Sequence, residues 1–304
     1  MTTRPSLTRP RLGLSKIQLL GVSAFLVLVW GSAFTMVDVA VRTVSPDWLV
    51  AFRMSFGAGL VLVYAVIAGH RLPPLRDKRW VWYSVLGLTG ASLPFVLIAI
   101  GMKSVDSGLS AIIVGAMPLI TIILAHFFTD EKLTAWKLLG FVMGFGGIII
   151  LFLPTELSLT LVKDWQAQLL ILMGATCYAL TTVIASRAPE TPSPVAATMM
   201  LFMGALISVV WAYAHSGPPT VPNATALFCI IALGLGSTGA ATVIYLWVID
   251  MAGPSAIARI NYFVPVCSVI LGVWLLNEPL DWRIFVSLAV IILGVIISKL
   301  GGAD

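Results

Sequence analysis

The chain has 304 residues, of which 59% are hydrophobic and only 10% are charged. An ordinary soluble domain carries roughly 25% charged residues, so this composition excludes a soluble globular protein, and the excess of apolar residues excludes a disordered one. The net charge of +5 is basic, but the basic residues form no continuous face, which argues against a nucleic-acid partner.

Ten apolar runs follow one another along the chain, each close to the roughly 20 residues that a membrane-spanning helix needs. A transmembrane β-barrel would instead show alternating segments of about ten residues. The sequence therefore predicts an all-α integral membrane protein with ten transmembrane helices. They lie at roughly residues 17–37, 48–69, 80–101, 108–128, 135–153, 167–186, 195–214, 225–249, 256–276 and 282–299.

The Lys and Arg residues outside the spans predict how the chain is oriented. If the N-terminus is cytoplasmic, twelve of them lie in inner segments and four in outer segments. The positive-inside rule then places both termini in the cytoplasm. The loop from His70 to Trp80 contributes most to this bias.

An internal repeat appears when the chain is shifted along itself by 147 residues, which aligns Pro118 with Pro265 and Glu131 with Glu278 without a gap. Each copy holds five predicted spans, an odd number, so the second copy must enter the membrane upside down. Such inverted repeats are common in secondary transporters. The predicted units are a cytoplasmic tail (1–16), a first five-helix repeat (17–153), an external linker (154–166), a second five-helix repeat (167–299) and a cytoplasmic tail (300–304).

Several stretches resemble a known family. They are Trp30-Gly31-Ser32-Ala33-Phe34, Ser45-Pro46-Asp47-Trp48-Leu49-Val50-Ala51-Phe52-Arg53, Ser107-Gly108-Leu109-Ser110-Ala111 running to Pro118 and Glu131, and Pro265 running to Glu278-Pro279-Leu280. With these the chain resembles the drug/metabolite transporter superfamily, within it the EamA-type ten-span transporters, and most closely the YddG-type amino-acid exporters. The resemblance covers nearly the whole chain. It implies export of amino acids or similar metabolites through a central cavity between the halves, in a bacterial-type inner (plasma) membrane.

The paired prolines are predicted gating kinks. Pro118 and Pro265 each free the carbonyl four residues earlier, at Val114 and Asn261. A freed carbonyl needs a neighbouring helix, water or a ligand as its partner, so a purely structural kink is the alternative. The symmetric placement of the two prolines favours gating.

Residues on the helix faces of the two prolines, with others in the first, third, sixth and eighth spans, are candidates for the wall of a central cavity. This wall is expected to be mostly apolar with few polar groups. Asn261 either binds polar groups of the cargo or hydrogen-bonds neighbouring helices together. The aromatic side chains either line the cavity or pack in the core. The predicted substrate-binding residues are Trp30, Phe34, Ser92, Phe95, Ser110, Val114, Tyr178, Thr242, Tyr245 and Asn261.

Three basic residues have possible charge roles: Arg53, His126 and Arg259. The two arginines lie near span ends, so we expect them to snorkel to the interface, Arg53 toward Asp47 or Asp38, with carboxylate binding as the alternative. His126 is either a proton carrier or a snorkelling or packed imidazole. Glu131 and Glu278 are expected to cap helices or make interfacial hydrogen bonds.

All thirteen acidic residues fall in loops or at span ends. A multidrug antiporter would need a carboxylate deep in the membrane to exchange protons for cations. The sequence therefore favours neutral or zwitterionic cargo and transport without obligatory proton coupling.

Other motifs predict packing rather than chemistry. Gly234-Leu235-Gly236-Ser237-Thr238-Gly239 matches G-x-G-x-x-G but lies inside an apolar span, so it favours close helix approach over dinucleotide binding. Gly140-x-x-x-Gly144 predicts a packing surface, with a contact between two copies of the chain as one option. The three cysteines lack metal-ligand spacing, and no enzyme motif is present, so no metal, cofactor or catalytic residue is expected.

The sequence thus predicts a secondary transporter that exports amino acids or similar small metabolites by alternating access. The expected partners are the small-molecule cargo and the lipid bilayer, and a monomer is favoured. One alternative is a proton-coupled exporter of drugs, sugars or nucleotide sugars. A second is a non-transporting membrane scaffold or receptor.

Overall fold

The computed structural model describes residues 16–128, 134–152, 164–185, 187–252, 260–261 and 263–300. Within these residues all regular structure is helical, which confirms the predicted all-α fold class. Seven helices are long and apolar enough to cross a membrane: Ile17–Val41, Pro46–Ile67, Arg79–Gly101, Ser107–Phe128, Trp165–Ala185, Ser193–Ser216 and Ala224–Tyr245. The remaining three are Ala135–Phe152, Phe263–Leu276 and Trp282–Leu300. We number these ten spans in chain order.

Two spans contain a π-helical segment at the same place in both halves. In the third span, Leu88–Ser92 is π-helical between Arg79–Gly87 and Leu93–Gly101. In the eighth span, Leu233–Ala240 is π-helical between Ala224–Ala232 and Ala241–Ala252. Short π-helical insertions in α-helices occur frequently at functional sites, so these two mark where the interface between the halves departs from regular packing.

Different residues permit the two π-helical segments. In the third span Pro94 has no N–H to offer the carbonyl of Gly90, which loosens the α-helical ladder at that turn. In the eighth span the segment contains the G-x-G-x-x-G motif. Glycines there leave the backbone free to widen and let a neighbouring helix approach, which confirms the packing interpretation of that motif.

The contacts between helices obey the repeat. Three contacts between the halves each occur twice. Span 2 packs on span 8, and the equivalent span 7 packs on span 3. Span 1 packs on spans 8 and 9, and the equivalent span 6 packs on spans 3 and 4. Spans 2 and 7, 4 and 9, and 5 and 10 pair with their own repeat partners. The helices of each half therefore lie between those of the other, as the prediction of two inverted five-helix repeats requires.

Glycines bring the helix backbones close together where spans 2 and 8, and spans 3 and 7, cross. A Cβ atom on Gly87 would lie 2.7 Å from the amide nitrogen of Gly204, and one on Gly57 would lie 3.2 Å from the carbonyl oxygen of Gly234. The 147-residue repeat exchanges these two contacts. Side chains at these positions would force the helices apart, so small residues set the distance between the halves.

The fifth and tenth spans pack in the same way and correct one expectation. A Cβ atom on Gly140 would lie 2.6 Å from the Cβ of Ser298, and one on Gly294 would lie 2.8 Å from the amide nitrogen of Gly144. Gly140 and Gly144 therefore contact the tenth span of their own chain. The suggestion of a dimer contact at this motif is wrong, because the surface is already occupied within the molecule.

Candidate functional site

Arg53 lies seven residues inside the second span, about 10 Å along the helix from its first residue. Its side chain is buried, with 8% of the residue exposed. Its Nε donates to Thr238 Oγ1 at 2.8 Å and its Nη2 donates to Ser237 Oγ at 3.3 Å, both in the eighth span. The guanidinium carbon lies 3.9 Å from the ring centroid of Phe95, so an aromatic face covers the planar cation.

This placement overturns the expectation that Arg53 snorkels outward. Asp38 pairs instead with Arg42 at 2.5 Å, and Asp47 accepts a hydrogen bond at 2.9 Å from His215 at the end of the seventh span. The Arg53 guanidinium turns toward the opposite half of the molecule. Among the described residues no carboxylate lies within ion-pair distance of it.

Two aromatic pairs lie on helix pairs that the repeat relates. Phe95 and Tyr178 join the third and sixth spans edge to face, with ring centroids 6.0 Å apart. Trp30 and Tyr245 join the first and eighth spans in the same geometry at 6.3 Å. Phe95 of the first pair is also the ring that covers the Arg53 guanidinium. Four predicted wall residues thus form two half-buried aromatic contacts, one of them at Arg53.

Other predicted wall residues lie around these pairs. Phe34 and Val114 are half-buried and pack against the main core. Thr242 donates its hydroxyl to the carbonyl of Thr238, one turn earlier in its own helix. Asn261 is half-buried, directly after the buried Ile260.

The two predicted serines serve helix packing. Ser92 is buried and donates to the carbonyl of Gly204 at 2.7 Å, while Ser208 donates to the Ser92 hydroxyl at 2.9 Å. Ser110 is fully buried and donates back to the carbonyl of Asp106 in its own helix. Both hydroxyls are used in hydrogen bonds within the helical bundle.

One of the predicted kink residues, Pro265, lies where the ninth span crosses the fourth. The fourth span is interrupted at Ala116, two residues before Pro118, between the helices Ser107–Gly115 and Met117–Phe128. Pro265 is buried, and a Cβ atom on Gly115 would lie 2.9 Å from its Cγ. The ring of Pro265 therefore packs directly against the helix end that precedes the break.

The other possible charged residues are peripheral or undescribed. His126 is exposed near the end of the fourth span, next to the ring of Phe127. Arg259 and Glu131 lie outside the described residues. Arg53 is therefore a buried cation, inside a span, that hydrogen-bonds to the opposite half of the molecule.

Glu278 connects the halves at the end that the charge bias places outside. Its Oε1 accepts the amide hydrogen of Ser107 at 2.7 Å and its Oε2 accepts that of Gly108 at 3.1 Å. These are free N–H groups at the first turn of the fourth span, where a carboxylate is favoured by unsatisfied donors and by the helix dipole. The expected helix cap is confirmed for Glu278, and the helix that it caps belongs to the other repeat.

A cavity of about 350 Å³ lies beside this contact, lined by residues that include Asp106, Leu109, Val273 and Glu278. Burial raises the pKa of the Asp106 carboxyl above its ordinary value, and the nearby carboxylates of Glu278 and Asp38 raise it further. The predicted outer end of the molecule is thus acidic and partly shielded from water.

Sequence reasoning missed Ser237 and Thr238 as partners of Arg53. The repeat offered a signal, because it aligns these hydroxyl residues with Gly90 and Ala91 in the first copy. A change from two small apolar residues to two hydroxyls in a single copy indicates a polar requirement in that copy alone. Only the packing of the second span against the eighth shows that these hydroxyls accept hydrogen bonds from Arg53.

A helical bundle of two interleaved inverted repeats is the architecture of many secondary membrane transporters. A family model described as the EamA-like transporter family matches residues 18–153 and again residues 165–300. The chain belongs to this family. The two matched segments are displaced by 147 residues, the displacement at which Pro118 meets Pro265.

Individual relatives match along nearly their whole length. The chain is 26% identical to YedA of Escherichia coli (strain K12), an uncharacterized inner membrane transporter, over 94% of this chain and 92% of that protein. It is 23% identical to YoaV of Bacillus subtilis (strain 168), an uncharacterized transporter, over 89% and 93%. A solved crystal structure has a TM-score of 0.66 at 19% identity over 94% and 98% of the two chains, which shows a shared fold. The protein is therefore a multi-pass membrane protein of a family that includes bacterial inner-membrane transporters, and the family is one of transporters rather than enzymes.

Proposed function

We propose that this protein is a secondary transporter that exports amino acids or similar small metabolites by alternating access, in the manner of the YddG-type exporters. The observation that carries the proposal is the pair of crossings related by the repeat, spans 2 and 8 on one side and spans 7 and 3 on the other. Their equivalence gives the molecule two similar ends. The cargo would pass through a mostly apolar cavity between the repeats.

Close glycine contacts support rocking at these crossings. Gly57 against Gly234 and Gly87 against Gly204 bring backbones together with little side-chain interdigitation to resist sliding. The π-helical segments lie at the same contacts and have fewer regular α-helical hydrogen bonds to lose. Both features favour an interface with two alternative arrangements.

The placement of acidic groups supports transport without obligatory proton coupling. The described acids that interact with other groups, such as Asp47, Asp106 and Glu278, lie at helix ends. A carboxylate deep in the membrane beside Arg53 would be the simplest proton carrier, and the partners of Arg53 among the described residues are neutral hydroxyls and an aromatic ring. We further propose that the chain works as a monomer with both termini in the cytoplasm.

Proteoliposomes that contain the purified full chain test this function. We expect saturable counterflow of labelled amino acids, and we expect it to persist when a protonophore collapses any pH gradient. Protein-free liposomes are the control for leakage. Absence of counterflow for all amino acids of the panel would reject the proposal, and counterflow abolished by the protonophore would favour the proton-coupled alternative.

A further inference from the structure

We propose that Arg53 is the binding site for a carboxylate group of the cargo, held at the contact between the two halves. The inference rests on the proposed transport function and names the part of the cargo that is recognised. It assigns Ser237, Thr238 and Phe95 as the residues that orient the guanidinium.

Arg53 has N–H donors that its hydrogen bonds with Thr238 and Ser237 do not use. A guanidinium carries five N–H donors in a fixed plane. One is donated from Nε to Thr238 and one from Nη2 to Ser237, and the remaining three have no acceptor among the residues that the structure describes. The three free hydrogens lie on Nη1 and Nη2, and two parallel N–H bonds from these atoms match the two oxygens of a carboxylate.

The charge of Arg53 also lacks a neutralising partner. A buried cation is costly unless it is paired, and ionisable residues within a membrane interior mark ligand or ion pathways. Thr238 and Ser237 are neutral, and no carboxylate among the described residues forms an ion pair with Arg53. A single carboxylate on the cargo would neutralise the guanidinium.

The equivalent position in the second repeat shows whether helix packing alone requires an arginine at this crossing. It places Met200 at the position of Arg53. Met200 packs its Cε 2.7 Å from where a Cβ atom on Gly90 would lie, in the turn that corresponds to Ser237 and Thr238. The fold therefore closes this crossing with an uncharged side chain in one copy. A guanidinium with two hydroxyl partners in the other copy goes beyond what helix packing requires.

Phe95 and Tyr178 complete the geometry. The Arg53 guanidinium carbon lies 3.9 Å from the centroid of the Phe95 ring, and Tyr178 contacts the same ring edge to face. These aromatic faces suit the apolar body of a small carboxylic acid such as an amino acid with an uncharged side chain. Arg53 binds the carboxylate, and the remainder of the cargo contacts aromatic side chains.

The test compares ligands that differ only at the carboxylate. The thermal stability of the purified full chain in detergent is measured against each common neutral amino acid and the matching amino-acid amide. We expect at least one amino acid to stabilise the wild-type protein with an apparent affinity about tenfold or more above that of its amide. Equal responses to acid and amide throughout the panel, including no response to either, would overturn the proposal.

Variants then assign the discrimination to Arg53. Arg53→Met, which copies the residue of the other repeat, should reduce the preference for acid over amide to within about twofold, and Arg53→Lys should retain part of it. Arg42→Met removes an exposed arginine and should leave the preference unchanged. If Arg53→Met expresses as a folded, monodisperse protein and keeps the wild-type preference, the assignment fails.

Failure of this inference is distinguishable from failure of the transport proposal. Counterflow of amino acids that is equally strong in Arg53→Met and wild type would reject the carboxylate site and leave transport standing. A preference for acid over amide in binding that depends on Arg53, without counterflow in proteoliposomes, would reject transport and leave the site standing.

Discussion

Glu278 and Ser107 join the two repeats through a single hydrogen bond of 2.7 Å from the Ser107 amide to the Glu278 carboxylate, although 171 residues separate them in the chain. A second bond from Gly108 makes the contact two-pronged. Because the donors belong to one repeat and the acceptor to the other, the two halves must lose both bonds to separate at this end.

Removing this carboxylate should open the predicted outer end. Hydrogen bonds to a charged group contribute about 1.5–3 kcal/mol each, so the loss of both bonds in Glu278→Ala should shift the opening equilibrium by about 3 kcal/mol or more, which is roughly 150-fold or more. A cysteine at Leu109, which lines the adjacent cavity, reports the change through its rate of labelling by a membrane-impermeant maleimide in a chain without the native cysteines. The exposed Glu190 provides the matched Glu→Ala control. Labelling at the wild-type rate in Glu278→Ala would show that the contact does not restrain this end.

A methyl group at the glycine crossing should destabilise the fold. A Cβ atom on Gly57 would lie 2.6 Å from Thr238 Cγ2 and 3.2 Å from the carbonyl oxygen of Gly234, whereas one on Gly59 would meet no atom within 4 Å. Overpacking costs about 1–3 kcal/mol. Gly57→Ala should therefore lower the melting temperature in detergent, while Gly59→Ala should not. A melting temperature in Gly57→Ala equal to that of Gly59→Ala would refute the close contact.

Stability should depend on pH through Asp106. Because its pKa is raised in the folded protein, this group stabilises the fold most when it is protonated, below the ordinary value of 3.8, and that contribution is lost as the pH rises through the folded-state pKa. Asp106→Asn should therefore raise the melting temperature at pH 7, with a gain that shrinks as the pH falls toward 4. Asp77, whose pKa is lowered by its hydrogen bonds with Arg79, is the contrasting control. A gain for Asp106→Asn that grows on acidification would contradict the sign.

The orienting hydroxyl of Thr238 should affect affinity more than turnover. Thr238→Val keeps the shape of the side chain and removes the acceptor of the 2.8 Å bond from the charged Arg53, a loss of about 1.5 kcal/mol or roughly tenfold. We expect a higher KM for counterflow with little change in the maximal rate. Thr176→Val, an exposed threonine of the sixth span, is the control. A fall in the maximal rate with an unchanged KM would place Thr238 in the conformational change instead.

The sequence by itself determined the class and the plan of this protein. The lengths of the apolar runs and the scarcity of charge required membrane-spanning helices, and the register of Pro118 with Pro265 and of Glu131 with Glu278 required two copies. These properties are local or periodic, so a one-dimensional pattern contains them. The expected cap at Glu278 also followed from its place at a span end.

The tertiary structure decided which residues meet. Arg53 was expected to reach Asp47 or Asp38 on its own side of the membrane, and it binds Thr238, which is 185 residues away. Gly140 was a candidate for a contact between chains, and it contacts Ser298 of its own chain. The rotation of each helix about its axis and the angle at which it crosses its neighbours determine such contacts. Both depend on the packing of all the spans together, since any helix of this composition has more than one apolar face to offer.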